Sequence, residues 1–104
     1  MNAILTGSQA YGKPTEDSDV DIAVLMSIDD LEALRLLADD AGSDVPELCS
    51  HSLKFGKLNL LVCTYIPTFD TWVQGTKELK DMAPVSRDEA ISVLSSLRRE
   101  AGIV

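Results

Sequence analysis

Positive charge is scarce in this sequence: nine Lys and Arg stand against seventeen Asp and Glu, a formal net charge of −8 at pH 7. Affinity for DNA or RNA that ignores sequence comes mainly from Lys and Arg on phosphates. The balance therefore argues against a nucleic-acid partner and against a template-reading polymerase. Small-molecule phosphates held with a metal, or a basic protein partner, remain compatible with it. No apolar run approaches the roughly 20 residues that a membrane span needs, and Met1-Asn2-Ala3-Ile4 has neither a charged segment nor a cleavage site. The expectation is a cytoplasmic protein with no membrane contact. Cysteine is limited to Cys49 and Cys63, both in strand-like apolar surroundings and without metal-ligand spacing, which reads as two reduced core residues. Internal repeats, low-complexity segments and long linkers are also missing. At 104 residues the chain reads as one domain, 1–104, with a single core and no room for a separate domain that selects an acceptor. With 45% hydrophobic and 25% charged residues, the composition is that of an ordered globular protein.

The apolar pattern supplies the elements. Asn2 to Thr6 reads as a short buried strand, Ser8 to Gly12 as a turn of helix, Lys13 to Ser18 as a polar loop, and Val20 to Leu25 as a second strand rich in β-branched residues. Ser27 can cap a helix whose first turn carries Asp29 and Asp30; Leu31, Leu34 and Ala38 share its buried face with Leu37 beside them, and Gly42 marks its end. Glu47 to Ser52 and Leu58 to Thr64 read as strands joined through a hairpin turn at Leu53–Lys57, with Gly56 in the backbone angle that other residues avoid. Pro67 opens a helix to about Met82, and Ala83-Pro84 breaks it. The capping box Ser86-Arg87-Asp88-Glu89 starts a last helix to about Ala101, with Ile91, Leu94 and Leu97 as its buried stripe and Ala90 and Val93 alongside. The order predicts an α/β or α+β domain: a mixed sheet of about four strands with helices packed on it, not a doubly wound one.

The chemistry concentrates near the N-terminus. After the first strand comes Gly7-Ser8-Gln9-Ala10-Tyr11-Gly12, a small-residue turn that lets backbone N–H groups approach an anion. Then comes Ser18-Asp19-Val20-Asp21-Ile22, where two carboxylates lie two apart in a strand-like run and so point to one face. Paired carboxylates beside a phosphate cradle suit a divalent cation carrying a nucleoside triphosphate. An apolar strand, Gly-Ser, a gap of roughly ten residues and an Asp-x-Asp between apolar residues resembles the DNA polymerase beta-like nucleotidyltransferase superfamily. The likeness is to its minimal stand-alone members, short phage-encoded ones among them. It is carried by Ile4 to Leu25, and beyond that only by the order of elements. Those members usually have a helix before the Gly-Ser strand, whereas this chain begins at the strand.

The resemblance implies a Mg²⁺- or Mn²⁺-dependent transfer of a nucleoside monophosphate from a triphosphate to a hydroxyl. Asp19 and Asp21 would be the metal ligands, Gly7 and Ser8 the phosphate cradle, and Lys13 a residue that reaches a terminal phosphate. The acceptor could be a hydroxyl of a partner protein, a small molecule or a nucleic-acid end, and the short chain leans toward a protein. In the family a third carboxylate on a neighbouring strand completes the set; the matching Leu58-Asn59-Leu60 holds Asn59. Asparagine offers a metal only a neutral oxygen and cannot take a proton at neutral pH. Glu47 or Asp44, before or on the adjacent hairpin strand, is the candidate substitute, and His51 reads more simply as a surface residue than as a base. The alternative is a chain that has kept nucleotide binding, lost turnover through Asn59 and acts through a protein partner. Trp72, Phe69 and Tyr65 read as core or partner contacts rather than a base-stacking platform.

Overall fold

The computed structural model describes residues 2–40, 42 and 45–103. The chain runs β1 (Asn2–Thr6), α1 (Ser8–Tyr11), β2 (Val20–Leu25), α2 (Ile28–Arg35), β3 (Asp39–Asp40), β4 (His51–Phe55), β5 (Leu58–Cys63), α3 (Ile66–Met82) and α4 (Arg87–Glu100). Its five strands form one sheet in the order β1-β2-β5-β4-β3. Only the central pair β2 and β5 is parallel; β1 lies antiparallel to β2, and β4 antiparallel to both β5 and β3. The mixed α+β architecture is the expected one. Among the described residues no helix is long and apolar enough to cross a membrane.

One face of the sheet is covered by α3 and α4. Ala23 and Cys63 from the central strands pack there with Phe69, Trp72 and Leu79 of α3 and with Ala90 and Leu94 of α4. A buried polar bridge ties the edge strand to α3: Trp72 Nε1 donates to Thr6 Oγ1 at 3.2 Å, and the Thr6 and Thr76 hydroxyls are 2.9 Å apart. Partnering these groups with one another is what allows them so deep in an apolar layer. On the other face, Leu31 of α2 packs on Val24, Met26, Leu53 and Val62. Ser27 caps α2 through Asp30 N–H, and Ser86 caps α4 through Glu89 N–H, as their sequences dictate. Cys49 and Cys63 are thiols buried in the core, as expected of them.

Four expectations need correction. β1, read as a buried strand, is an edge strand of the sheet, and of its residues only Thr6 is buried. The segment read as a strand from Glu47 is a turn, with Leu48 and Cys49 N–H both bonded to Val45 O, and β4 begins only at His51. Val45, Leu48 and Cys49 are the buried positions, a spacing of three and four that belongs to a helical turn and not to a strand. The hairpin turn is tighter than Leu53–Lys57: Phe55 pairs with Leu58, leaving Gly56 and Lys57 as its tip, with Gly56 at φ +63°. Finally, α2 stops at Arg35 well short of Gly42, Leu37 is 76% exposed, and Asp39–Asp40 instead adds a fifth strand beside β4.

Candidate functional site

The register of the sheet assembles the site. Thr6 pairs with Asp21, and Asp21 with Asn59 across the parallel centre, so the turn after β1, the carboxylate of β2 and the amide of β5 fall in one row. Asn59 in turn pairs with Lys54 on β4. Asp19 stands just before β2, where the loop 13–18 is pinned to the hairpin by Lys57, whose Nζ donates to Glu16 O at 2.7 Å and whose carbonyl accepts from Val20 N–H at 2.7 Å. Gly7 has φ +70°, and its carbonyl accepts the first hydrogen bonds of the short helix α1. A Cβ at Gly7 would overlap the Asp21 carboxylate, so glycine is required both by the backbone angle and by the space.

A cavity of about 830 Å³ opens over this row, and Gly7, Ser8, Lys13, Asp19, Asp21 and Asn59 all line it. Its volume is in the range of small-molecule pockets. Apolar walls come from Tyr11, Val45, Leu61 and Trp72, and the start of α4, including Arg87 and Glu89, also lines the cavity.

Hydrogen bonds set the polar floor. Ser52 Oγ donates to Asn59 Oδ1 at 2.5 Å, Asn59 Nδ2 donates to Asp21 Oδ1 at 3.0 Å, and Lys54 Nζ donates to Asp19 Oδ2 at 3.1 Å. Asn59 therefore occupies the row of the missing third carboxylate, but with its oxygen turned to Ser52 and its nitrogen to Asp21. The substitutes do not join it. Glu47 is exposed on the turn before β4 and does not line the cavity, and Asp44 lies outside the described residues. His51 alternates with Ser52 along β4 and so faces the other side of the sheet, where its Nδ1 is 2.6 Å from Asp40 Oδ2. Tyr65 is 61% exposed, whereas Phe69 and Trp72 are core residues.

Ser52, Lys54 and the α4 end of the cavity escaped the sequence reading. By local pattern Ser52 reads as a strand residue, Lys54 as part of a turn and Arg87 as part of a helix cap. The spacing Ser52-x-Lys54 puts both on one strand face, and that signal acquires meaning only once β4 is in register with Asn59.

The oxygen-rich pair Asp19 and Asp21, facing a turn with no side chain of its own at Gly7, fits a hard divalent cation with phosphate. A family model described as nucleotidyltransferase domain matches residues 2–69, from β1 into the first turn of α3. No curated protein and no solved structure matches the chain.

Proposed function

Because the chain belongs to the nucleotidyltransferase domain family, we propose that it moves a nucleoside monophosphate from a nucleoside triphosphate to an acceptor hydroxyl, with Mg²⁺ or Mn²⁺, releasing pyrophosphate. The observation that carries this reading is the convergence of Asp19, Asp21 and the Gly7-Ser8 turn on one cavity. The two aspartates would hold the cation, which when bound neutralises charge developing on the phosphates. The Gly7-Ser8 backbone, the Ser8 hydroxyl and Lys13 would bind and orient the triphosphate, and positioning is most of what phosphoryl chemistry asks of a protein. Asn59 would hold Asp21 in place through its amide N–H.

Asn59 accepts no proton at neutral pH, so the acceptor hydroxyl would lose its proton without a carboxylate base at that position. Such a base typically contributes a factor of about 10² to 10⁴, and slow turnover is the expectation. The bond to Asp21 would give Asn59 a positioning role in the site, which supports the transferase reading over one in which the position is idle. A protein hydroxyl is the acceptor we favour, and a net charge of −8 suits a basic partner.

The test supplies each of the four triphosphates, labelled at the α or the γ phosphate, with Mg²⁺ or Mn²⁺ and candidate acceptors. Label from the α position should be retained on the acceptor and label from the γ position released. Transfer of γ label, or α transfer unchanged in Asp19→Ala, would overturn the reading.

A further inference from the structure

The two edges of the sheet are built differently. The β3 edge is two residues long and both are aspartates, a short charged strand of the kind that discourages pairing with another chain. The β1 edge has none of these guards. Asn2-Ala3-Ile4-Leu5-Thr6 carries no charge and no proline, and it pairs with β2 over five consecutive residues with no bulge to twist it away. Among the described residues no strand lies on its outer side, so that side presents a row of backbone N–H and C=O groups to any strand that approaches. The sheet face beside it is uncovered as well. There α2 packs over Val24, Leu53 and Val62, while Leu5, Val20 and Leu58 stay exposed.

Composition decides what fits this edge. With the same strand laid antiparallel on it and Ile4 opposite Ile4, Asn2 meets Thr6 and Ala3 meets Leu5. Polar residues then face each other at the strand ends, and on the uncovered face the large Leu5 stands against the small Ala3 of the other strand, twice by symmetry. No like charges come opposite one another. That matters for a chain of net charge −8, whose copies repel over much of their surface. A basic segment, in contrast, would find no carboxylate on β1 to meet.

We infer that β1 pairs antiparallel with β1 of a second copy about a two-fold axis at Ile4, joining the two sheets into one. Because the paired strands run in opposite directions, the two Gly7-Ser8 turns stand at opposite ends of the seam.

Sedimentation equilibrium of the full chain tests this. Five residues a side make a small interface, so the wild type should pass from monomer to dimer between about 1 µM and about 1 mM. Association should be tighter at about 0.15 M NaCl than at about 0.01 M, because salt screens the repulsion between copies. Ala3→Lys/Leu5→Lys sets lysine opposite lysine at two places and should weaken the dimer by about tenfold or more, although it lowers the net charge of each copy. Ala3→Asp/Leu5→Lys sets aspartate opposite lysine at the same two places and should associate about tenfold more tightly than the double lysine variant. Both positions are exposed, so both variants should fold, and the wild-type measurement stands without them. A wild type that stays monomeric to the highest concentration, or a dimer that weakens with added salt, would overturn the inference. So would a double lysine variant that associates like the wild type, which would put the contact elsewhere, or an Asp/Lys variant no tighter than the double lysine one, which would exclude this register.

Discussion

Gly7 is where a single methyl group should do most damage. Its φ of +70° disfavours any L side chain by about 1–2 kcal/mol, and the added Cβ would meet the Asp21 carboxylate at once. Gly7→Ala should therefore lower Tm by about 5–10 °C, given the usual conversion for a chain of this size, and abolish Mn²⁺-dependent triphosphate binding by displacing Asp21. Thermal melts with calorimetry check both, and triphosphate binding equal to the wild type would contradict the cradle. Asp40, on the opposite sheet face, supplies a pH test. Burial pushes its carboxyl up, but the Gly42 N–H, the His51 hydrogen bond and the charges of His51 and Arg35 together hold it below its ordinary value of 3.8. A carboxyl whose folded pKa is depressed adds stability that is complete above 3.8 and is lost as pH falls through the lower, folded value. Asp40→Asn should thus be less stable than the wild type near neutrality, and the gap should close as the pH drops below about 4. A gap in Tm that stays constant down to that range would refute the assignment.

At the scale of elements, legibility followed the length of the periodic signal. β1 and β2 were readable to the residue because short runs of apolar residues, Ala3 to Leu5 and Val20 to Leu25 around Asp21, stand between clear breakers, and α4 because a capping box precedes a long stripe. β3 was invisible: two aspartates have no apolar period and low strand propensity, and they are in the sheet because Lys54 and Leu53 pair with them. With α2 ending at Arg35, Leu36 and Leu37 are exposed. In the site, the local motifs Gly7-Ser8 and Asp19-x-Asp21 were legible, while Ser52 and Lys54 depend on register, which no local pattern encodes. The crossing of α3 and α4 gives a prediction of its own. Gly75 lets the helices approach so closely that a Cβ there would overlap the Leu94 side chain. Gly75→Ala gains about 1 kcal/mol in helix propensity against an overpacking cost of about 1–3 kcal/mol. With Leu94→Ala the clash disappears, so the double variant should be more stable than the sum of the single effects by about 1 kcal/mol or more. A denaturant double-mutant cycle measures this, and simple additivity would show that the helices do not meet at Gly75.

For the whole molecule the governing quantity is a net charge of −8 on 104 residues. Like charges repel more in the compact chain than in the unfolded one, and salt screens that repulsion, with a Debye length falling from about 30 Å at 0.01 M to about 8 Å at 0.15 M. Raising NaCl over this range should therefore raise the Tm of the chain alone. Attraction to a basic protein acceptor is screened by the same ions, so association with such a partner should weaken as salt rises, mainly through a slower on-rate. The two responses carry opposite signs from one cause. A Tm that falls with added salt would mean that surface ion pairs such as Lys54 with Asp19 outweigh the net repulsion. Association that strengthens with salt would place the acceptor contacts on apolar surface and set aside a basic partner. Duplex DNA separates the cases further. A chain of this charge, lacking the Lys and Arg surplus that releases counterions, should be retained by DNA at neither salt concentration, whereas retention at low salt would return a nucleic-acid end to the list of acceptors.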